Sequence, residues 1–267
     1  MQKHARLSPA FSMIELVFAI VILGIVSSIG AEIIAKVYQS YILQRAEYRA
    51  TIQTELAATQ IANRLAAAIP GTIYRIKNDN SFESIDSALS GNSDDYIGLQ
   101  WVGSDEDSFS ASQTPGWSGF CDLNTSTQSS ISTPGSNLAV ANTIQTNLGK
   151  SGSTFSIYFP YDTTAYLGSG TSNTIALDSN ISHMVEHYKL AWSSYALMVE
   201  NGDLTLYYNF PATPKATRSS TTKSLLMKNI STFKFKGAGK TIRFKICKEE
   251  PIGEDFNVTA CKEKAVF

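Results

Sequence analysis

The sequence has few cysteines, and neither sign of charge is in excess. Three cysteines among 267 residues are too few for a disulfide scaffold, and no CxxC spacing suggests a zinc or redox motif. Lysine plus arginine (22) balance aspartate plus glutamate (23), so the composition carries no electrostatic footprint of nucleic-acid binding. The sequence also lacks a nucleophile–base pair, a Walker loop, a dinucleotide fingerprint and paired catalytic carboxylates. These absences predict a protein that is not an enzyme and needs no cofactor.

One long apolar run lies near the N-terminus. It extends from Phe11 to Ala31, and Glu15 is its only ionisable residue. About 21 residues at 1.5 Å per residue span roughly 30 Å, the thickness of the hydrocarbon core of a bilayer. Because a secretory signal peptide has a shorter apolar core, this run predicts an anchor that is retained. Lys3 and Arg6 precede the run, so the N-terminus is expected in the cytoplasm and the rest of the chain outside.

Glu15 is unusual in such a run, because a carboxylate forced deep into lipid costs about 2.5–3.5 kcal/mol. One explanation is an interfacial side chain that reaches the headgroups. The other is a positive charge at the same depth, which cleavage between Ala10 and Phe11 would create as the new α-amino group of Phe11. The residues alone leave both explanations open.

The segment SPA–FSMIELVFAIVILGIV resembles the type IV prepilin signature, which type IV pilins share with the pseudopilins of type II secretion and DNA-uptake machines. Leader charge, Phe, Glu and the apolar run coincide, which makes the motif specific. The resemblance implies that a prepilin peptidase cuts between Ala10 and Phe11 and methylates the new N-terminus at Phe11. It also implies that Glu15 attracts the N-terminal amine of the neighbouring subunit as a filament assembles.

The resemblance further implies a single-pass protein of the bacterial inner membrane with a periplasmic C-terminal domain. Its partners would be the prepilin peptidase, other pilins or pseudopilins, the inner-membrane assembly platform and the lipid bilayer. The balanced charge of the chain indicates no direct binding of nucleic acid. Two residues depart from the family pattern. Ala10 replaces the usual Gly before the cut, so cleavage is expected, at a reduced rate. Glu32 stands where many pilins carry a kinking Pro.

The helical pattern continues beyond the apolar run. No Pro or Gly interrupts Ala31 to Ile69, and Pro70 with Gly71 predicts a stop. Apolar residues recur at helical spacing and are expected to pack on a sheet; they are Val37, Tyr41, Tyr48, Ile52, Leu56, Ile61, Leu65 and Ile69. The predicted organisation is a leader (1–10), a transmembrane half-helix (11–34), an amphipathic periplasmic half-helix (35–70) and a globular domain (71–267).

The sequence of the globular domain predicts mainly β-strands. Two antiparallel hairpins are indicated by the turns at Asn201-Gly202-Asp203 and Gly237-Ala238-Gly239. Residues 104–153 are rich in Ser, Thr, Asn and Gly and are interpreted as long surface loops. Other predicted strands are Thr72–Lys77, Tyr96–Val102, Thr154–Phe159 and Val258–Phe267. One long helix followed by antiparallel strands predicts an α+β fold, in the lollipop arrangement of pilins.

Three cysteines allow three pairings. Cys247 and Cys261 bracket a polar loop, and their pairing is the one expected in an oxidising periplasm, where a loop of this length gives about 3 kcal/mol. Pilins often close a C-terminal loop in this way. Cys121 would then be a free thiol, although it could also displace one partner.

Two groups of residues resemble metal ligands. His183, Glu186 and His187 match the H-x-x-E-H pattern of inverted zinc proteases, which requires both histidines on one face of a helix. A polar loop or a one-turn helix explains them equally well, and no metal site is predicted. The acidic clusters at 94–95 and 105–107 lack the spacing of a calcium loop and are interpreted as solvated loop charge.

Four asparagines occur in the pattern Asn-x-Ser/Thr. Three of them, Asn124, Asn180 and Asn257, have an Asp two residues earlier, an offset that bacterial oligosaccharyltransferases prefer. We therefore predict these three as N-glycosylation sites in a host that has the enzyme.

The sequence as a whole predicts a structural minor pseudopilin of a type II secretion or DNA-uptake system, and the stretch from Tyr188 to Cys247 distantly resembles the J-type minor pseudopilin. One alternative is a minor type IV pilin for adhesion or twitching. The other is a signal-anchored periplasmic metalloenzyme that uses His183, Glu186 and His187.

Overall fold

The chain combines one long helix with antiparallel sheets, which confirms the predicted α+β class. The computed structural model describes residues 12–111, 114–150, 152–218, 222–238, 240–253 and 256–267. The helices are α1 (Met13–Ala66), α2 (Glu106–Phe109) and α3 (Leu138–Asn147). The strands are β1 (Tyr74–Lys77), β2 (Phe82–Ser84), β3 (Tyr96–Gly103), β4 (Ser130–Ser132), β5 (Thr154–Tyr158), β6 (Tyr166–Ser169), β7 (Thr174–Leu177), β8 (Lys189–Ala191), β9 (Ser193–Glu200), β10 (Asp203–Phe210), β11 (Lys223–Met227), β12 (Ile230–Ala238), β13 (Thr241–Pro251) and β14 (Asn257–Val266).

Helix α1 has 54 residues. At 1.5 Å per residue it is roughly 80 Å long, far more than a bilayer requires. It ends at Ala66, three residues before the predicted end at Ile69. The difference arises because the Ile69 amide donates a hydrogen bond to Val102 O of β3 at 2.9 Å, so the chain has already joined the sheet before Pro70.

A six-stranded sheet has the order β11-β10-β9-β3-β1-β2. Its central hairpin, β9–β10, turns at Asn201 and Gly202, both with positive φ (53° and 79°), as the Asn-Gly signal predicted. Trp101 and Leu197 from β3 and β9 are fully buried and face Ile61 and Leu65 of α1 in the main core. The end of the helix therefore lies on this sheet.

The last three strands form a separate sheet, in the order β12-β13-β14. Phe233, Ile242, Phe244 and Ile246 face inward and join the same core as the end of α1. Helix α1 contacts mainly β13 and β14. The C-terminus of the chain is thus packed against the outer half of its N-terminal helix.

The prediction that residues 104–153 form surface loops is wrong. This tract supplies α2, β4 and α3, and β4 belongs to a five-stranded sheet with the order β4-β7-β6-β5-β8. Trp117, Ile131 and Leu138 are buried in a second core. The abundant hydroxyl groups do not prevent burial because they bond to one another: Thr133 Oγ1 lies 2.7 Å from both Ser136 Oγ and Tyr188 Oη.

Candidate membrane anchor and assembly helix

Within the described residues, α1 is the one helix that is long and apolar enough to cross a membrane. Its first 33 residues, Met13 to Arg45, contain no buried side chain. Leu16, Phe18, Leu23 and Ile34 are between 53% and 71% exposed. A run of large apolar side chains without protein cover needs an apolar environment, which fits single-pass anchoring in a membrane.

The N-terminus of α1 is held by a capping box. Ser12 Oγ accepts a hydrogen bond from the Glu15 amide, and a Glu15 carboxylate oxygen accepts one from the Ser12 amide, both at 3.4 Å. The Ser12-x-x-Glu15 spacing is the sequence signal of this motif, so the capping role of Glu15 was predictable from the sequence. The predicted cleavage site at Ala10 and Phe11, the methylated Phe11 and the leader lie outside the described residues.

The outer half of α1 has two different apolar faces. The face toward the sheets consists mainly of small residues, Ala46, Ala50, Thr54, Ala57, Ala58, Ile61 and Leu65. Small side chains let the helix axis approach the strands closely, and the Thr54 hydroxyl is satisfied by Ala50 O at 2.7 Å. The second face carries large side chains that are 42–68% exposed, Val37, Tyr41, Tyr48, Ile52 and Leu56.

This arrangement corrects the predicted packing of the apolar stripe. Ile61 and Leu65 are buried in the main core, and Ile69 is buried beside Val102. The five larger residues nearer the membrane segment stay 42–68% exposed, because alanines occupy the inward positions there. The domain thus leaves an apolar helix face open beyond the length that a bilayer would cover.

Ion pairs fix the helix to the last strand. Glu55 accepts hydrogen bonds from Lys262 Nζ (2.7 Å) and Lys264 Nζ (2.9 Å) on β14. These two lysines hold the pKa of Glu55 at about 2, so its carboxylate stays ionised. Lys264 also donates to Thr59 Oγ1 at 2.7 Å. Because both lysines come from one strand, the rotation of α1 about its axis is set relative to β14, and so is the direction of the open apolar face.

The cysteines are arranged as one bonded pair and one single thiol. Cys247 and Cys261 face each other across β13 and β14 and lie at disulfide-bonding distance. Cys121 is buried and unpaired, and its Sγ lies 3.5 Å from Ser126 Oγ. Burial raises the pKa of the Cys121 thiol, which disfavours the reactive thiolate.

The H-x-x-E-H residues do not form the geometry that zinc proteases require. Residues 183–187 lie in an irregular connection before β8, not in a helix. His187 forms an isolated bridge with Phe120, and Glu186 O accepts a bond from the Cys121 amide at 2.7 Å. His183 and His187 therefore do not share a helix face, and among the described residues no group of three or more His, Cys, Asp or Glu could hold a metal ion.

The two acidic clusters have structural partners. Asp95 accepts a hydrogen bond from the Asn92 amide at 3.0 Å, and Asp94 pairs with Lys234. Asp105 caps α2 by accepting from the Ser108 amide at 3.1 Å, and burial raises the pKa of Asp105. These contacts explain the clusters as turn and cap residues.

The three asparagines predicted to carry glycans are all exposed. Asn124 lies in a turn closed by Asp122, whose carboxylate accepts from the Asn124 amide (3.0 Å) and from the Thr125 hydroxyl (2.8 Å). Asn180 lies in the connection after β7, and Asn257 begins β14. Exposure is necessary for modification but does not by itself show it, so glycosylation of these three residues stays a prediction.

Comparisons of this chain with protein-family models, with curated proteins and with solved structures found no match in any of the three.

Proposed function

We propose that this protein is a filament subunit of the type IV pilin-like class, a minor pseudopilin that serves a type II secretion or DNA-uptake machine. One observation carries the proposal: α1 is far longer than a membrane span, and its open apolar face continues from the membrane segment to Leu56. An anchor alone needs only the first of these segments. The second needs a protein partner in water, and parallel neighbouring helices provide one.

In the proposed mechanism the leader is removed at Ala10, and Phe11 becomes a methylated, positively charged N-terminus. Glu15 of one subunit attracts the Phe11 amine of the next, since both charges lie at the same depth in a medium of low dielectric. The large side chains between Val37 and Leu56 pack against helices of neighbouring subunits. The domain, held in one orientation by the Glu55 ion pairs, stays on the outside of the filament.

The size of the globular domain supports a minor rather than a major subunit. Residues 104–191 add a second core with its own five-stranded sheet beside the sheets that pack on α1. Such bulk is compatible with a few copies, for example at a tip, and is less compatible with a closely packed helical repeat.

N-terminal peptide mapping of the full chain from native membranes tests the proposal. We expect a chain that begins at N-methylated Phe11, and deletion should abolish secretion or transformation while surface filaments and twitching remain. A chain that keeps residues 1–10 in cells with active prepilin peptidase would overturn the proposal. Loss of surface filaments on deletion would reassign the protein to type IV pili.

A further inference from the structure

The globular domain contains a cleft with a volume of about 700 Å³ and largely aromatic walls. The cleft opens between the connection that follows α1, the short helix α2, the end of β5 and the start of β8. The aromatic residues that line it are Phe109, Trp117, Tyr158, Phe159, Tyr161 and Tyr188. A volume of this size suits a small organic molecule.

The walls present ring carbon to the cleft, because their polar atoms are bonded elsewhere. Trp117 Nε1 donates a hydrogen bond to Asp105 O, and Tyr158 Oη donates one to Ala212 O, both at 2.7 Å. Phe109 has no polar atom, and its ring centroid lies 4.9 Å from that of Trp117. Such walls favour contact with a flat apolar ring system. A saccharide, which needs several hydrogen bonds from the walls, fits poorly.

Two lysines place positive charge at one end of the cleft. Lys189 begins β8 and Lys240 lies in the turn between β12 and β13, so they come from different sheets. Both also line a smaller cavity of about 220 Å³, which shares Pro70 and Gly71 with the cleft. Within the described residues, neither lysine makes an ion pair. Two cations thus converge without an anion from the chain.

The acids of the cleft do not neutralise this charge. Glu106 and Asp162 line the cleft. Asp162 already accepts hydrogen bonds from the Thr164 amide (2.8 Å) and the Tyr166 hydroxyl (3.0 Å). In the part of the chain that the structure describes, neither acid pairs with a lysine of the cleft. The partner that the two lysines lack is an external anion.

Tyr161 has a backbone conformation that costs stability. The Asp162 amide donates to Phe159 O at 3.2 Å, which closes a turn with Pro160 in its second position and Tyr161 in its third. The φ of Tyr161 is 65°, and this third position normally holds Gly or Asn when φ is positive. The Tyr161 side chain is fully exposed, so no packing within the chain offsets the strain. Contact between its ring and a ligand in the cleft would account for a tyrosine at this position.

We propose that the cleft binds a small planar aromatic carboxylate. Its ring system would lie against the aromatic walls and Tyr161, and its carboxylate would accept charge-assisted hydrogen bonds from Lys189 and Lys240. The inference does not rest on the proposed filament role, because the cleft includes neither the membrane segment nor the open apolar face of α1.

The test is isothermal titration calorimetry of the full chain in non-ionic detergent, with each probe corrected for its uptake by detergent alone. The probes are naphthoate and its neutral isostere naphthamide. We expect naphthoate to bind with a Kd at or below about 1 mM and naphthamide to bind about tenfold more weakly. Lys189→Gln/Lys240→Gln should weaken naphthoate about tenfold and leave naphthamide unchanged. Decanoate, an anion with an aliphatic chain, should bind less tightly than naphthoate.

Matched variants separate the cleft from general charge and from folding. Lys236→Gln/Lys245→Gln removes two exposed lysines that do not line the cleft and should keep the wild-type affinity for naphthoate. Tyr161→Asn should weaken both probes about fivefold, while the thermal midpoint stays equal or rises because Asn tolerates positive φ.

Four results would each overturn the proposal. They are the absence of saturable naphthoate binding, equal affinities for naphthoate and naphthamide, decanoate binding at least as tight as naphthoate, and equal losses of naphthoate affinity in the two double-lysine variants.

Discussion

At the scale of single residues, the most demanding group in the fold is a buried arginine. Arg75 on β1 is only 2% exposed, and it stands opposite Glu83 of β2 in the register. Arg75 Nη1 lies 2.6 Å from a Glu83 carboxylate oxygen, while Nη2 donates to the carbonyl oxygens of Ile85 (2.5 Å) and Ser87 (2.9 Å). The pair closes the β1–β2 edge of the large sheet around a charge that water cannot reach.

Replacing Glu83 with Gln is expected to destabilise the protein by about 3 kcal/mol, because it leaves the Arg75 charge buried without an anion. Urea unfolding of the two proteins in the same detergent measures the difference. The matched control is Glu263→Gln, which removes an acid from the exposed pair with Arg243 and should cost less than about 1 kcal/mol. Equal losses in the two variants would contradict the buried-charge explanation.

The same carboxylate predicts a dependence of stability on pH. Hydrogen bonds from the Ser90 hydroxyl, and then from Tyr96 and Lys77, lower the pKa of Glu83 to about 2. In the unfolded chain its pKa is about 4.3. A lowered folded pKa means that the stabilisation is complete above about pH 4.3 and is lost as pH falls toward 2. The stability difference between wild type and Glu83→Gln should therefore be constant from pH 7 to 5 and should shrink from pH 4 to 2.

Single-residue roles could be predicted from the sequence only where the signal lies in adjacent residues. The Asn201-Gly202 turn was predictable because its signal lies within two residues. The Arg75–Glu83 pair was not, because β2 has three residues and no clear alternation, so nothing in the sequence indicated what Arg75 would face.

At the scale of elements, the outer half of α1 has a buried face of small residues and an open face of large ones, and one substitution on each face tests its contribution. Leu56→Ser changes a side chain that is 57% exposed, so the free energy of unfolding should change by less than about 0.5 kcal/mol. Ala58→Leu adds volume at a fully buried position against the sheets and should cost about 1–3 kcal/mol. Urea unfolding gives both values.

The effects of the two substitutions on assembly should be ranked in the opposite order to their effects on stability. We expect Leu56→Ser to reduce the sedimentable, processed assemblies from cells while the subunit stays folded, because the open face has lost a large apolar contact. Ala58→Leu should lower the amount of subunit in the membrane instead. Unchanged assembly of Leu56→Ser, together with an unchanged Tyr48→Ser variant, would show that the face has no partner.

The elements themselves divide into those that the sequence could predict and those that it could not. The long helix and the hairpins β9–β10 and β12–β13 have strong periodicity and turn residues, and they occur where expected. The polar tract at 104–153 was misinterpreted because its core residues, such as Trp117 and Ile131, are separated by hydroxyl residues that are buried through mutual hydrogen bonds. The predicted stripe on α1 was right for Ile61, Leu65 and Ile69 and wrong from Val37 to Leu56, because alanines, not the larger apolar residues, face the sheets there.

At the scale of the whole molecule, Glu15 connects the structure of one subunit with the proposed filament. The structure gives its carboxylate a local role, since it accepts a hydrogen bond from the Ser12 amide at the start of α1. The proposed filament gives it a second role, attraction of the Phe11 amine of another subunit. The first role requires only a hydrogen-bond acceptor, whereas the second requires negative charge, so the two can be separated by substitution.

Glu15→Gln keeps the capping box, because Gln also accepts the bond from the N-cap amide, but it removes the charge. Ser12→Ala removes the hydroxyl that accepts the Glu15 amide in the capping box, and it keeps the charge of Glu15. If charge attraction drives assembly, Glu15→Gln should reduce the sedimentable assemblies by at least about tenfold, equivalent to 1.4 kcal/mol, while Ser12→Ala stays near wild type. Sedimentation of membranes with equal amounts of processed subunit measures this. Wild-type assembly of Glu15→Gln, with a defect confined to Ser12→Ala, would reduce Glu15 to a helix cap and remove the electrostatic step from the proposed mechanism.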